Sequence, residues 1–392
     1  MIQKRIQELK KLRQNRIEGK VNCIPFTDTF PKLSQYVPGI IKGYIYHNVA
    51  MSGVSKTQFT KYTFIWTPYI YNKLHPESKI DYKIIIFLLE ESEEEFIDSA
   101  ICTMLFLKFN IRVDPVELTS LRDNPVSSDI LDKIESIQDD LNEFLSHCVI
   151  NDSVSNITGM YKLCRSIANE QGKHYWIPLI GEGDEITAEE YESLTPEVKK
   201  TYKYSRYQAN NPEQYNIVIV DNLNLLPEEY DSNLKRTLTL IEVMDKWCYS
   251  YCRRQMTRHW NWICCQVQQL ANADEAQQFN YKGESIIAKV RPNLSMLADS
   301  KKTQRHSLVI MWLFAPDRYE VEEYAGYNVE VMRDTIRTVG IAKNRKGMAN
   351  VEIPVYFDGA VNFFRELPLP KEMNNDTYRK CVNREIKPGF KI

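Results

Sequence analysis

No stretch of this 392-residue sequence approaches the roughly 18 consecutive uncharged apolar residues that a membrane-spanning helix needs, so a membrane protein is not expected. An excess of basic charge is missing as well. Lys and Arg total 50 against 52 Asp and Glu, so any contact with nucleic acid must come from local patches. The nine cysteines include no C-x-x-C pair. Cys248 and Cys252 lie one helical turn apart and Cys264 adjoins Cys265 in an apolar run, but a zinc site would need two more well-placed ligands. They read as buried thiols of a reducing compartment. The basic amino terminus lacks the uninterrupted apolar segment of a secretory signal, so the expected location is the cytoplasm. Internal repeats and low-complexity tracts are absent too.

What is present is the composition of a globular domain, with 43% apolar and 26% charged residues. The length fits two average domains or one enlarged α/β domain. In residues 2–17, Ile2, Ile6, Leu9, Leu12 and Ile17 recur at helical spacing among Lys and Arg, and Gly19 closes the run. Pro25, Pro31 and Pro38 then interrupt the chain, so this amphipathic helix docks either on a neighbouring subunit or on the surface of its own chain.

From Tyr44 onward short apolar runs alternate with longer helical stretches, the pattern of an α/β fold with a mostly parallel central sheet flanked by helices. Strands are expected at Tyr44–Ala50, Lys83–Leu89, Asn216–Val220, Trp262–Val267, Leu308–Phe314, Val339–Lys343 and Val351–Phe357. Helices are expected at Glu93–Phe109, Asp129–Phe144 and Asn156–Glu170. A polar, Tyr-rich segment, 174–215, has no clear period and reads as an insertion. The expected organisation is a helix and Pro-containing connector over 1–35, one domain over 36–370, and a tail over 371–392.

Three strand ends carry the chemistry. The first strand runs into Ala50-Met51-Ser52-Gly53-Val54-Ser55-Lys56-Thr57-Gln58 and then a helix, the context of a phosphate-binding loop. In such loops backbone N–H groups cradle phosphate oxygens, a Lys reaches the β- and γ-phosphates, and a Ser or Thr hydroxyl holds Mg²⁺. Lys56 and Thr57 supply both side chains, within a candidate nucleotide-binding stretch of Ser52, Gly53, Val54, Ser55, Lys56, Thr57 and Gln58. The glycines of G-x-x-x-x-G-K-[ST] are replaced by Ala50 and Ser55. The second strand ends in Glu90-Glu91, followed by Ser92 and three glutamates that read as a helix cap and an acidic first turn. A carboxylate at such a strand end faces the ligand crevice, which makes Glu90 a candidate general base. The third strand delivers Asp221, a candidate Mg²⁺ ligand with Thr57.

These motifs, in this order, resemble the ATPase domain of DnaB-type replicative helicases, with a RecA-like P-loop core. Pro38-Gly39 through Ser55-Lys56-Thr57 is similar to the family's entry and phosphate loop, Phe87-Leu88-Leu89-Glu90 to its F-S-L-E, and Ile219-Val220-Asp221-Asn222-Leu223 to its I-D-Y-L. Val149-Ile150-Asn151-Asp152, Ile157-Thr158 and Leu163-Cys164-Arg165 look like its I-D-D…L-T…A-R region. Cys265-Gln266-Val267-Gln268-Gln269 resembles its S-Q-L-N-R sensor. Ile341-Ala342-Lys343-Asn344-Arg345-Lys346-Gly347 resembles the A-K-x-R-x-G segment that reaches a neighbour's ATP. The likeness covers about residues 36–366. It implies catalytic roles for Lys56, Glu90 and Gln266, and for Lys343 and Arg345 in trans. It also implies ATP and Mg²⁺ as cofactors, single-stranded DNA as substrate, a homo-oligomeric, hexameric ring, and primase or other replication proteins as partners. The family's N-terminal domain has no counterpart here, and Gln269 stands where the sensor has Arg. Such divergence around a minimal core implies a viral or mobile-element member, acting in a host cytoplasm if phage-encoded.

In the position of the family's DNA-binding loop, residues 271–307 carry Lys282, Lys289, Arg291, Lys301, Lys302 and Arg305, with Tyr281 nearby. Several such charges presented by a ring could bind single strands despite a near-neutral subunit. Arg253, Arg254 and Arg258 precede this loop and are expected to face solvent or a neighbour. Two other readings stay open. One is a recombination or annealing ATPase that binds single strands without unwinding. The other is a catalytically weakened P-loop module for DNA binding or assembly, which Ser55 and Gln269 would favour.

Overall fold

The computed structural model describes residues 2–180, 183–270, 287, 290–297 and 302–392, apart from the side chain of Lys4. Its centre is a nine-stranded sheet. In chain order the strands are β1 (Ile45–Ala50), β2 (Tyr82–Leu88), β3 (Cys148–Asn151), β4 (Tyr215–Asp221) and β5 (Ile263–Gln269). They continue with β6 (Val309–Phe314), β7 (Ile336–Asn344), β8 (Val351–Asp358) and β9 (Phe363–Glu366). In space the order is β9-β8-β7-β6-β1-β5-β4-β2-β3. The run from β6 to β3 is parallel, and β7, β8 and β9 add antiparallel strands at one side. This is an α/β fold with a mostly parallel central sheet flanked by helices.

Parallel strands are covered on both faces, so their sequences are continuously apolar rather than alternating. In β2, Ile84 and Ile86 pack into one core while Ile85 and Phe87 pack into the other; in β4, Ile217 and Ile219 oppose Val218 and Val220 in the same way. The first core is closed by Phe59 and Tyr62, from the helical run after β1, and by Phe96 and Met104 of the helix Glu93–Phe109. The second is closed by Met160 and Cys164 of Ile157–Gln171, and by Val243 and Trp247 from the helical run that leads into β5.

All seven expected strands form, with ends shifted by a few residues. Helix Glu93–Phe109 is capped as its sequence suggests: Ser92 Oγ accepts from Glu95 N at 3.2 Å and Glu95 Oε2 accepts from Ser92 N at 2.8 Å. The helix expected over 129–144 is two, Ser128–Ser136 and Gln138–Ser146. The chain breaks at Ile137 (φ −106, ψ 9), which is buried in the same core as Leu141 and Phe144. The segment read as aperiodic holds a three-stranded antiparallel sheet, Gly172–Pro178, Ile186–Thr187 and Tyr202–Ala209, with the short helices Ala188–Ser193 and Pro196–Lys199. Residues 2–17 are helical, and their apolar stripe is uncovered. Cys248, Cys252, Cys264 and Cys265 are buried free thiols. No helix among the described residues is long and apolar enough to cross a membrane.

Candidate nucleotide site

Because β1, β5, β4 and β2 are parallel neighbours, their C-terminal ends share one edge of the sheet. Register brings the ends together: Ala50 is level with Gln269, and Leu88 with Asp221. Leu89 N donates to Asp221 O at 2.8 Å, so the chain that turns to Glu90 leaves the sheet beside Asp221.

The loop after Ala50 turns through Gly53 (φ 70) and Ser55 (φ 71, ψ 35), both left-handed. Ser55 thus occupies a conformation that favours glycine. It precedes the helix Lys56–Lys61, which continues through a π-helical turn, Tyr62–Trp66, into Thr67–Leu74. The start of that helix is pinned to β1, since Asn48 Nδ2 donates to Thr60 Oγ1 at 2.9 Å and Thr60 Oγ1 donates to Lys56 O at 2.9 Å. Lys56 is buried.

Asp221 is 5% exposed, and the Thr57 hydroxyl lies close enough to its carboxylate to favour the charged form. Burial pushes its pKa up to about 6; the Thr57 hydroxyl opposes this, Glu90 and Glu91 reinforce it, and Lys56 opposes it. Its Oδ1 has no partner among the described residues. An unpartnered, buried carboxylate oxygen beside a hydroxyl is a hard-oxygen pair suited to Mg²⁺. Among the described residues no group of three His, Cys, Asp or Glu could hold an ion alone, so Thr57 and Asp221 could hold one only with phosphate oxygens completing its shell.

The two strand-end glutamates divide. Glu91 is paired with the buried Lys61 at 2.7 Å, and that ammonium lies 4.9 Å from the Phe96 ring centre. Glu90 is exposed, and its Oε1 accepts from Asn222 Nδ2 at 2.7 Å. Glu90 is therefore the strand-end carboxylate left accessible at this edge, with Asn222 fixing its orientation. Asn222 carries no signal of this role in the sequence, because an amide following a strand-end Asp reads as a turn residue.

A fold comparison bears on this edge. One solved ATPase domain matches 93% of this chain over 99% of its own, with a TM-score of 0.59 at 17% identity. A DnaB-like replicative helicase, described with its interactions with primase, matches 94% of this chain over 71% of its own, with a TM-score of 0.58 at 17% identity. The fold is that of a DnaB-type helicase ATPase domain. No protein-family model and no curated protein matches the sequence.

Within this DnaB-type fold the remaining expected residues lie elsewhere. Lys343 is level with Ile310, and Ile310 with His47, so Lys343 sits roughly 13 Å below the start of its own phosphate loop along the strands. Its ammonium donates to Gln304 O, and Arg345 donates to Arg305 O. Burial and then Arg345 push the Lys343 pKa down to about 8. Neither residue joins the site of its own chain.

Gln266 requires a correction. Its side chain is fully buried on the far face of β5, where Oε1 accepts from Trp247 Nε1 at 2.8 Å and Nε2 donates to Cys252 Sγ at 3.4 Å. Alternation along β5 sends Cys265 to the phosphate-loop side and Gln266 away from it. Gln58 is tied to the β8–β9 turn, donating to Gly359 O at 2.8 Å.

Of the candidate DNA contacts, Arg291 is ion-paired with Glu352, while Lys302 and Arg305 are exposed. Lys282, Lys289 and Lys301 lie outside the described residues. One residue near the loop carried no sequence signal. Arg318, from the turn after β6, donates to Ser52 O and lies 3.2 Å from where a Cβ on Gly53 would sit.

Proposed function

We propose that this chain is an ATP hydrolase that couples turnover to movement along single-stranded DNA, as a DnaB-type helicase or translocase assembled into a homo-oligomeric, hexameric ring. The observation that supports it most is the convergence of Lys56, Thr57, Asp221 and Glu90 on one sheet edge, with Thr57 beside Asp221 and Glu90 held by Asn222. In this reading the Gly53–Thr57 backbone and the Lys56 ammonium bind the phosphates, and Asp221 and Thr57 hold the cation. When bound, Mg²⁺ supplies charge neutralisation at the β- and γ-phosphates. Glu90 accepts the proton of the attacking water, and Asn222 fixes its orientation.

The position of Lys343 and Arg345, away from their own loop, supports their serving the next subunit's ATP, as a head-to-tail ring requires. Lys302 and Arg305, with the basic residues of 271–307, would contact DNA phosphates. Primase or other replication proteins are the partners this reading implies.

The test is steady-state ATP hydrolysis with and without single-stranded DNA. The expected result is turnover stimulated by DNA and reduced at least a hundredfold by Lys56→Ala. Equal turnover in the variant, or none in the folded parent chain, would sink this reading. A second reading, a weakly hydrolysing module for DNA binding or assembly, draws on Ser55 in the left-handed region and on Gln266 bound to Trp247 and Cys252. DNA binding without turnover would favour it.

A further inference from the structure

The helical run Leu240–Lys246 and its π-helical continuation Trp247–Met256 bury Val243, Met244, Trp247, Cys248, Cys252 and Met256. That face fixes the opposite one. Tyr249, Arg253 and Arg254 point outward, Arg258 follows from the next turn, and the four line a surface cavity of about 500 Å³. Arg253 is half-buried, and Arg254 and Arg258 are exposed.

Among the described residues no carboxylate lines this cavity. The acids of the same run are engaged elsewhere: Glu242 pairs with Arg236 at 2.5 Å and Asp245 with His306 at 3.2 Å. Among the described residues the three guanidiniums form no ion pair, and Arg254 lies 5.7 Å from the Tyr249 ring centre. Their field reaches the adjacent His259, whose pKa is lowered by burial and then by Arg258 and Arg254. Like charges gathered in this way repel one another until an anion binds.

The cleft also has a neighbour. The Tyr249 ring lies 4.9 Å from that of His306, so the cavity abuts the helical turn Thr303–His306, beside which Lys302 and Arg305 are exposed. We propose that Tyr249, Arg253, Arg254 and Arg258 form a phosphate-binding cleft for the backbone of a single nucleic-acid strand, continuing the path that begins at Lys302 and Arg305. It rests on the DNA-binding reading above. Guanidinium forks match phosphate oxygens in pairs, and an exposed tyrosine among them offers a face for a base to stack on. Continuity with the Lys302–Arg305 segment favours nucleic acid over an acidic protein partner.

The test measures binding of a fluorescent oligothymidylate across a salt series, comparing the full chain with R253A/R254A/R258A and R253K/R254K/R258K. Each single-strand phosphate contact contributes about 0.7 to the slope of log K against log salt, so the alanine variant should lose about 2 from that slope and bind at least tenfold more weakly at low salt. The lysine variant keeps its charges and should keep most of the slope. Hydrolysis without DNA should be unchanged in both, because none of the three arginines belongs to the nucleotide site.

A parent chain that binds DNA, with an alanine variant that matches it in slope and affinity, refutes the cleft and leaves the functional reading standing. Loss of assembly in the alanine variant with an unchanged slope assigns the surface to a neighbouring copy and overturns the proposal. A lysine variant as weak as the alanine one shows a structural role and overturns it too. A parent chain that binds no single strand refutes the DNA reading and this cleft together.

Discussion

Ser55 holds a left-handed backbone (φ 71) directly before Lys56, where a Cβ is strained and where, in the proposed reading, phosphate would approach closely. Ser55→Gly should relieve about 1 kcal/mol of that strain. The expected outcome is a higher melting temperature and a lower KM for ATP, read by thermal unfolding and steady-state kinetics; a lower melting temperature would count against the loop conformation. His47, fully buried on β1 beside Gln268 and Ser307, has a different consequence. Burial drives its pKa down to about 3; a Gln268 hydrogen bond opposes this, and Lys343 adds to it. The unfolded chain takes up this proton near pH 6.5 and the folded chain does not, so the stabilisation is complete above that pH and is lost as pH falls towards 3. Thermal melts from pH 7 to pH 4 should show a steep decline that His47→Gln makes shallower, and an equally steep decline in the variant would contradict the buried, neutral imidazole. At this scale the placing of Lys56, Thr57, Glu90 and Asp221 at one sheet edge was legible, because parallel-strand ends have a sequence signature. Asn222 and Arg318 were not, since a residue that orients or covers another is recognised only by contact.

Secondary structure was readable where one physical signal dominated. The apolar runs of β2 and β4 are long because both faces are buried, and Ser92 with Glu95 marked a helix start to the residue. Reading failed where signals were short or mixed. Strand β3 is four residues long and half-buried at the sheet edge, which leaves little hydrophobic pattern. In the 172–209 hairpin sheet, a register shift between Tyr175 and Trp176 interrupts the two-residue alternation that would have announced the strands. The face on which Gln266 lies was not legible, because a motif gives spacing but not the face of the strand. The helix Ile2–Ile17 was readable in outline, and its stripe is left uncovered, with exposure from 39% at Leu12 to 76% at Ile2. An apolar stripe of that kind needs a partner. Deleting residues 1–20 should shift the protein to a smaller species in a sizing measurement, and an unchanged assembly would show that the helix does not join subunits.

For the whole molecule, the same parallel sheet that gathers Lys56, Glu90 and Asp221 at one edge carries Lys343 and Arg345 towards the other. A single chain therefore holds the two halves of the proposed site apart, and only a head-to-tail assembly brings unlike halves together. Near-neutral net charge fits this picture, since DNA would be held by local basic surfaces repeated around a ring. The most direct test mixes two inactive variants, Lys56→Ala and Arg345→Ala, and measures ATP hydrolysis on single-stranded DNA. Mixed rings contain interfaces in which an intact Lys56 faces an intact Arg345, so the account predicts that turnover returns on mixing. Two variants that co-assemble and remain as inactive together as apart would contradict a site shared between subunits.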